Sequence, residues 1–217
     1  MYQVILKSGK DASVRRFHPW VFSGAIKKIK SEEGREAEPQ EGEIVKVTDN
    51  KGNFLGTGHY QNGSIMVRIL SFKEEEINEG FWTERIQEAY DLRSKLKLTD
   101  NERTNIYRLI HAEGDGLPGL IIDYYAGTAV IQSHSIGMHY AKEDIVKALK
   151  NVFGTSLKAI FDKSEDTLPK NGPIQTEDKY IYESEEYSSI GVEHGCKFKI
   201  DWEKGQKTGF FIDQREN

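Results

Sequence analysis

Few side chains in this 217-residue sequence stand at spacings that could do chemistry. Cys196 is the only thiol, with His194 two residues before it; a Cys–His nucleophile needs the two side chains within hydrogen-bond reach. Here His194-Gly195 reads as a hairpin turn, and Cys196 opens an alternating run with Phe198, Ile200 and Trp202. That pattern makes the cysteine a small buried hydrophobe rather than a nucleophile. His18, His59, His111, His134 and His139 show neither H-x-x-x-H nor H-x-E with C-x-x-C spacing, so no metal site is expected. Glu113 and Asp115 flank a glycine-rich turn, where acids bond local amides and solvent, and no catalytic residue is assigned. Gly114, Gly116 and Gly119 satisfy G-x-G-x-x-G. That motif holds a dinucleotide only where it follows a strand and opens a helix.

The elements around these residues favour a turn. Tyr107–His111 and Leu120–Tyr125 are rich in β-branched, aliphatic and aromatic residues that suit a half-buried pleat. Pro118 lies inside the glycine motif, and a second strand pattern, LIIDYY, follows it. Upstream, Tyr2–Leu6, Ile44–Thr48, Phe54–Tyr60 and Ile65–Leu70 read as short strands, with turn signals at Asp49–Gly52 and Gln61–Gly63; this spacing suggests a small barrel or sandwich. Arg15 and Arg16 end a short helix before Pro19. Trp20, Val21 and Phe22 form a compact apolar anchor, with Trp20 and Phe22 assigned to the core. Ser31–Glu41, with five glutamates, is an exposed loop. Glu74–Lys97 and Ala141–Phe153 carry helical apolar periodicity. Ala129–Ser135 and Leu157–Phe161 are strands, Lys163–Asp178 is a polar, mobile loop, and Ser188–Glu193 pairs with Cys196–Trp202.

The net charge of −5 hides an asymmetry. Residues 1–73 carry twelve Lys and Arg against eight Asp and Glu, a net +4, while residues 74–217 carry eighteen against twenty-seven, a net −9. The first thirty residues hold seven basic side chains and one acid, Asp11. Such a cluster either faces solvent or meets phosphate. Arg15, Arg16 and His18 are the better phosphate candidates, with Lys27 and Lys28 beside them. One cysteine excludes an internal disulfide framework, so a reducing cytoplasm is the default. No apolar run approaches the ~20 residues of a membrane span, and the N-terminus lacks the regions of a secretory signal.

Five segments carry a family resemblance. Arg108, Leu109, Glu113, Asp115–Leu120, Asp123 and Tyr125, together with HPWVFSGAI (His18–Ile26), Gly42–Asp49 and Phe54–Tyr60, resemble S-adenosylmethionine-dependent methyltransferases that make 5-methylcytosine in large-subunit (23S) ribosomal RNA. The resemblance implies an α+β chain: a PUA-like RNA-binding β-barrel over 1–73, a linking helix over 74–100, and a strand-strand-helix-strand-strand middle domain over 101–203. The last stretch, GQKTGFFIDQREN, resembles the segment that opens the family's Rossmann-like catalytic domain. It implies cofactor contacts from Lys207, Thr208, Gly209, Phe211, Asp213, Gln214 and Arg215. The family's catalytic cysteine belongs to the domain that follows, and no residue here matches it. The 217 residues are therefore expected to be the N-terminal part of a protein about twice as long, inactive alone and binding S-adenosylmethionine negligibly. Ribosomal RNA is the implied partner, and an apolar patch at Phe210 and Phe211 would favour a homodimer. Relatives of the same layout could modify guanine, and a stand-alone RNA-binding or ribosome-associated adaptor is the reading from a different class.

Overall fold

A computed structural model describes residues 1–99, 101–169, 174–184 and 186–215, which fall into two compact units. One comprises Met1–Glu76 and Ser135–Tyr140; the other comprises Ile77–His134 and Ala141–Asn217. No helix among the described residues is long and apolar enough to cross a membrane.

The first unit is built on six strands: β1 (Tyr2–Leu6), β2 (Trp20–Phe22), β3 (Ile26–Lys30), β4 (Ile44–Thr48), β5 (Phe54–Tyr60) and β6 (Ile65–Ser71). Their order is β2-β6-β5-β4-β1-β3, antiparallel except for β1 on β4. The two edge strands, β2 and β3, are consecutive in sequence and joined only by the 3-10 turn Ser23–Ala25. Such a link spans at most about 14 Å, whereas six strands laid flat would separate the edges by about 24 Å. The sheet must therefore curl into a half-barrel. Strand periodicity fills the interior with Val4, Leu6, Val21, Val45, Val47, Val67 and Ile69.

Of the expected anchor Trp20-Val21-Phe22, only Val21 is buried; Trp20 is half-buried and Phe22 is 47% exposed. Val21 alone takes the inward position on this edge strand, and among the described residues no further strand pairs beyond it.

In the second unit, α1 (Glu79–Lys95) precedes β7 (Ile106–His111), β8 (Leu120–Tyr125) and β9 (Thr128–Ser133). The chain then makes the five-residue helix α2 (Ile136–Tyr140), which belongs to the first unit, before α3 (Lys142–Phe153) and β10 (Ala159–Asp162). After these come β11 (Lys179–Glu183), β12 (Ile190–Glu193) and β13 (Cys196–Lys199). The sheet order is β11-β10-β9-β8-β7, with β10 parallel to β9 and the other pairs antiparallel. The helix α1 starts at Glu79 rather than Glu74 because the Asn78 side chain accepts from the Phe81 N–H and caps it there. The G-x-G-x-x-G segment is the turn it was read to be: a 3-10 turn, Ala112–Asp115, joins two antiparallel strands. Asp115 accepts from the His111 N–H and forms a bidentate pair with Arg93 of α1.

Both faces of this sheet are covered, which explains strands as continuously buried as β9 and β10. On one face Tyr107, Tyr124 and Phe153 of α3 stack in series, with centroids 5.1 and 4.8 Å apart. On the other, Ile106, Tyr125, Val130 and Phe161 pack with Ile200 and Trp202. Within the polar loop Lys163–Asp178, expected to be mobile, the Thr167 hydroxyl donates to Ser133 O at 2.7 Å and Glu165 N donates to Asp178 Oδ1 at 3.0 Å; residues 170–173 of the loop lie outside the described residues.

Candidate functional site

In the first unit, the 3-10 turn Val14–Arg16 ends at Phe17, whose φ of 62° turns the chain into His18-Pro19 and β2. This turn brings Arg15, Arg16 and His18 side by side, all exposed. Their situations differ. Arg15 donates from Nε to Asp11 Oδ2 at 2.5 Å and from Nη2 to Asp49 Oδ2 at 2.8 Å. Asp49 organises the β4–β5 turn by accepting from Lys51 N, Asn53 N and Asn53 Nδ2. The Asn53 side chain, then those backbone amides and the Arg15 charge, hold its carboxyl down at about 2. Arg15 is thus engaged as a clamp between turns. Among the described residues the Arg16 side chain donates only from Nε, to Ala12 O. Lys28 lies 3.9 Å from Glu36, and Lys27 is exposed. The Trp20 N–H donates to His18 Nδ1 at 3.2 Å, and the His18, Trp20 and Phe22 rings lie 5.7–6.4 Å apart.

In the second unit, polar chemistry converges on Asp123, fully buried in the middle of β8. Arg108, opposite it on β7, donates from Nε to Oδ1 at 2.8 Å and from Nη2 to Oδ2 at 3.0 Å. The Thr208 hydroxyl donates to Oδ2 at 2.5 Å, and with its proton so placed it accepts from the Tyr125 hydroxyl at 2.8 Å. Burial first, then the Asp123 charge, pushes the Tyr125 phenol up, while the hydrogen bonds to Asp123 push the Arg108 guanidinium up. The cluster is internally satisfied. It fastens the C-terminal segment to the sheet, with help from Arg215, which donates to Glu193 Oε1 at 2.8 Å and to Ile106 O at 2.5 Å.

Of the seven cofactor candidates, Gly209, Phe211, Gln214 and Arg215 line one groove of about 460 Å³, together with Glu193, His194, Cys196 and Phe198. Lys207 and Asp213 are not in that lining; the Lys207 ammonium sits 4.9 Å from the Phe211 ring centroid. Thr208 is wholly buried in the Asp123 cluster. Gly209 has φ of 101°, and a Cβ there would sit 2.7 Å from Asp201 O, so only glycine suits the turn. Phe211 is 45% exposed, whereas Phe210 is half-buried against the Ile106–Trp202 cluster.

Cys196 is exposed, against the expectation of burial. The ribbon β12–β13 pairs only with itself, and all of Cys196–Lys199 is exposed; only Ile200 and Trp202 reach the core. We therefore expect the native thiol to react with a thiol reagent about as fast as in denaturant. Cys196→Ser should shift stability by no more than about 0.5 kcal/mol. Strong native-state protection of the thiol would contradict the exposed ribbon.

Residues 4–72 match the family described as "PUA-like domain". This is the curled unit. Across 99% of its length the chain is 37% identical to "Ribosomal RNA large subunit methyltransferase I" of Vibrio parahaemolyticus and 38% identical to the protein of that name from Shewanella amazonensis. It covers 52% of each, so the chain spans about half the length of the curated relatives it matches. Among solved structures, "A putative sam-dependent methyltransferase from Streptococcus mutans" aligns over the whole chain and 52% of its own, with a TM-score of 0.77 at 19% identity. A putative methyltransferase complexed with SAH aligns over the same shares with a TM-score of 0.78, also at 19% identity. These structural matches establish a shared fold. The mixed α+β architecture and the PUA-like unit agree with the sequence reading.

Proposed function

We propose that this chain supplies RNA recognition to an S-adenosylmethionine-dependent methyltransferase of large-subunit ribosomal RNA, with C5 of cytosine as the modified position. The observation that carries the reading is the 37% identity running along 99% of the chain to a relative bearing the ribosomal RNA methyltransferase name. In this reading residues 1–73 bind RNA, 74–100 link, 101–203 form a supporting domain, and 204–217 open the cofactor-binding part. Arg16, His18 and Lys27 are the RNA contacts, with Arg15 and Lys28 secondary because each already meets an acid. S-Adenosylmethionine supplies the methyl group. The groove lined by Phe211, Gln214 and Arg215 offers one aromatic and polar wall for such a ligand, whereas a binding pocket needs convergent groups from several elements. The 217 residues alone therefore hold the cofactor negligibly.

The test is to titrate the chain with large-subunit ribosomal RNA fragments over a range of salt and, separately, with S-adenosylmethionine by calorimetry. RNA affinity should fall steeply as salt rises. Arg16→Ala should weaken binding and reduce the slope of log affinity against log salt by about one. Arg15→Ala should chiefly lower the melting temperature. Absence of RNA binding at low salt removes the reading, and saturable micromolar cofactor binding by the chain removes the assignment of the groove as an incomplete wall.

A further inference from the structure

The exposed aromatic edge of the first unit is unexplained by packing. Strand β2 sends Val21 into the core, leaving Trp20 half-buried and Phe22 47% exposed. Exposed His18 joins them, with Trp20 nearly perpendicular to both His18 (79°) and Phe22 (84°). The array is held from several sides: Trp20 N donates to His18 Nδ1, Ile69 N to Pro19 O at 2.7 Å, and Ser23 N to Ser64 O at 3.0 Å. The backbone that carries the three rings is fixed in this way and has little conformational entropy left to lose on meeting a partner.

Cationic side chains surround the array. Arg68 stands opposite Trp20 in the β2–β6 register. Exposed Arg16 lies two residues before His18, and exposed Lys27 lies on β3, just past the three-residue link from Phe22. Neither Arg16 nor Lys27 has an ion-pair partner among the described residues. Aromatic faces flanked by cations suit a strand whose bases are unstacked and whose phosphates run alongside. Size argues against a protein partner. A fully buried aromatic side chain contributes about 150–250 Å², so three partly covered rings offer a few hundred, short of the ~800 Å² that each partner of a standard protein interface contributes.

We propose that His18, Trp20 and Phe22 form a stacking platform for unpaired RNA bases, with Arg16 and Lys27 on the adjacent phosphates. The proposal rests on the RNA-binding reading above and adds what that reading leaves open: the RNA is single-stranded at the contact, and its bases meet this edge.

The chain carries its own reporter. Of its three tryptophans, Trp82 and Trp202 are 2% exposed, so Trp20 is the one a base can reach. The experiment titrates the chain with a fluorescently labelled mixed-sequence RNA oligonucleotide, single-stranded or annealed to its complement. Anisotropy of the label and tryptophan emission are followed together. The single strand should bind more tightly than the duplex and quench the emission, and Trp20→Phe should abolish the quench while keeping most of the affinity. Phe22→Ala, at an exposed position that spares the fold, should weaken single-strand binding about tenfold without changing the salt slope. Arg16→Ala should change the slope and leave the quench. Equal binding of single strand and duplex, with Phe22→Ala indistinguishable from wild type, overturns the platform while leaving RNA binding intact. Failure of the wild-type chain to bind either RNA defeats both readings. Emission changes that track protein concentration rather than RNA assign the edge to self-association and overturn the proposal.

Discussion

Asp123→Ala should cost about 3–5 kcal/mol of stability, the usual penalty for breaking a buried ion pair by removing one partner. Asp123 is fully buried, and its two oxygens accept from Arg108 twice and from Thr208 once. Without the carboxylate, Arg108 keeps a charge that is only one-third exposed, and the Thr208 hydroxyl loses its acceptor. Thr208→Val makes the companion variant, nearly isosteric and lacking the hydroxyl. It strands the Tyr125 hydroxyl and one Asp123 lone pair, and should cost about 2 kcal/mol. Urea denaturation followed by far-ultraviolet circular dichroism measures both. The pair of variants also separates two roles for Thr208. A ligand contact would leave the stability of the 217-residue chain unchanged when the hydroxyl is removed, whereas a fastener of the C-terminal segment lowers it. Near-zero effects from both variants would mean that the cluster does not hold the segment.

How far this arrangement was legible in the sequence depends on the range of the interaction. Strands β4 and β5 and the turn between them follow from the Ile and Val run before Asp49–Gly52 and the aromatic and aliphatic residues after it, because every determining contact is local. The amphipathic run of α3 is equally plain. Thr208 was read as a ligand contact because a polar residue in a glycine-rich segment looks the same whether it faces a ligand or a carboxylate 85 positions away. A signal was nonetheless present. Asp123 is a lone acid inside the apolar run LIIDYY, and a charge buried in a strand requires partners. Arg108 on the preceding strand supplies one; the second had to come from farther along the chain. Alternation fails differently at Cys196 and Phe22. Period two separates the faces of a strand but does not say whether anything covers them, and among the described residues no further strand pairs onto the edge strand β2 or the ribbon β12–β13. Other elements were missed, β11 and α2 among them. In β11, Tyr180, Ile181 and Tyr182 sit among charges on an edge strand, where burial is weak. Helix α2 is five residues long, too short for a period to register.

Helix α2 also sets up the second large effect, a loss of stability in mild acid. Gly137 of α2 lies so close to His59 of β5 that a Cβ on it would sit 2.1 Å from the imidazole Cγ. Tyr140 covers Gly42 in the same way, and Ile136 N donates to Gln61 Oε1. His59 is thereby sealed at 4% exposure. Burial, reinforced by the nearby Arg68 charge, pushes its imidazole down to about 4. In the unfolded chain the same ring titrates near about 6.5. Between those values the unfolded state binds a proton that the folded state refuses, so stability rises with pH across the window. The contribution is complete above pH about 6.5 and falls as the pH drops, with the full loss of about 3 kcal/mol reached near pH 4. About 2 kcal/mol of it should already be gone at pH 5. Asp49, held near 2, adds its own acid sensitivity only below the ordinary carboxylate range, so the two windows are distinct. Melting curves collected from pH 7.5 to 4 should show the wild type weakening through the upper window, and His59→Gln should flatten that dependence whatever its own cost at neutral pH. Gly137→Ala should destabilise at every pH by about 1–3 kcal/mol through overpacking, since neither the ring nor the helix backbone has room to yield. A wild-type melting temperature that stays constant between pH 6.5 and 4.5 would place the imidazole in contact with water and break the link between the seal of α2 and the titration of His59.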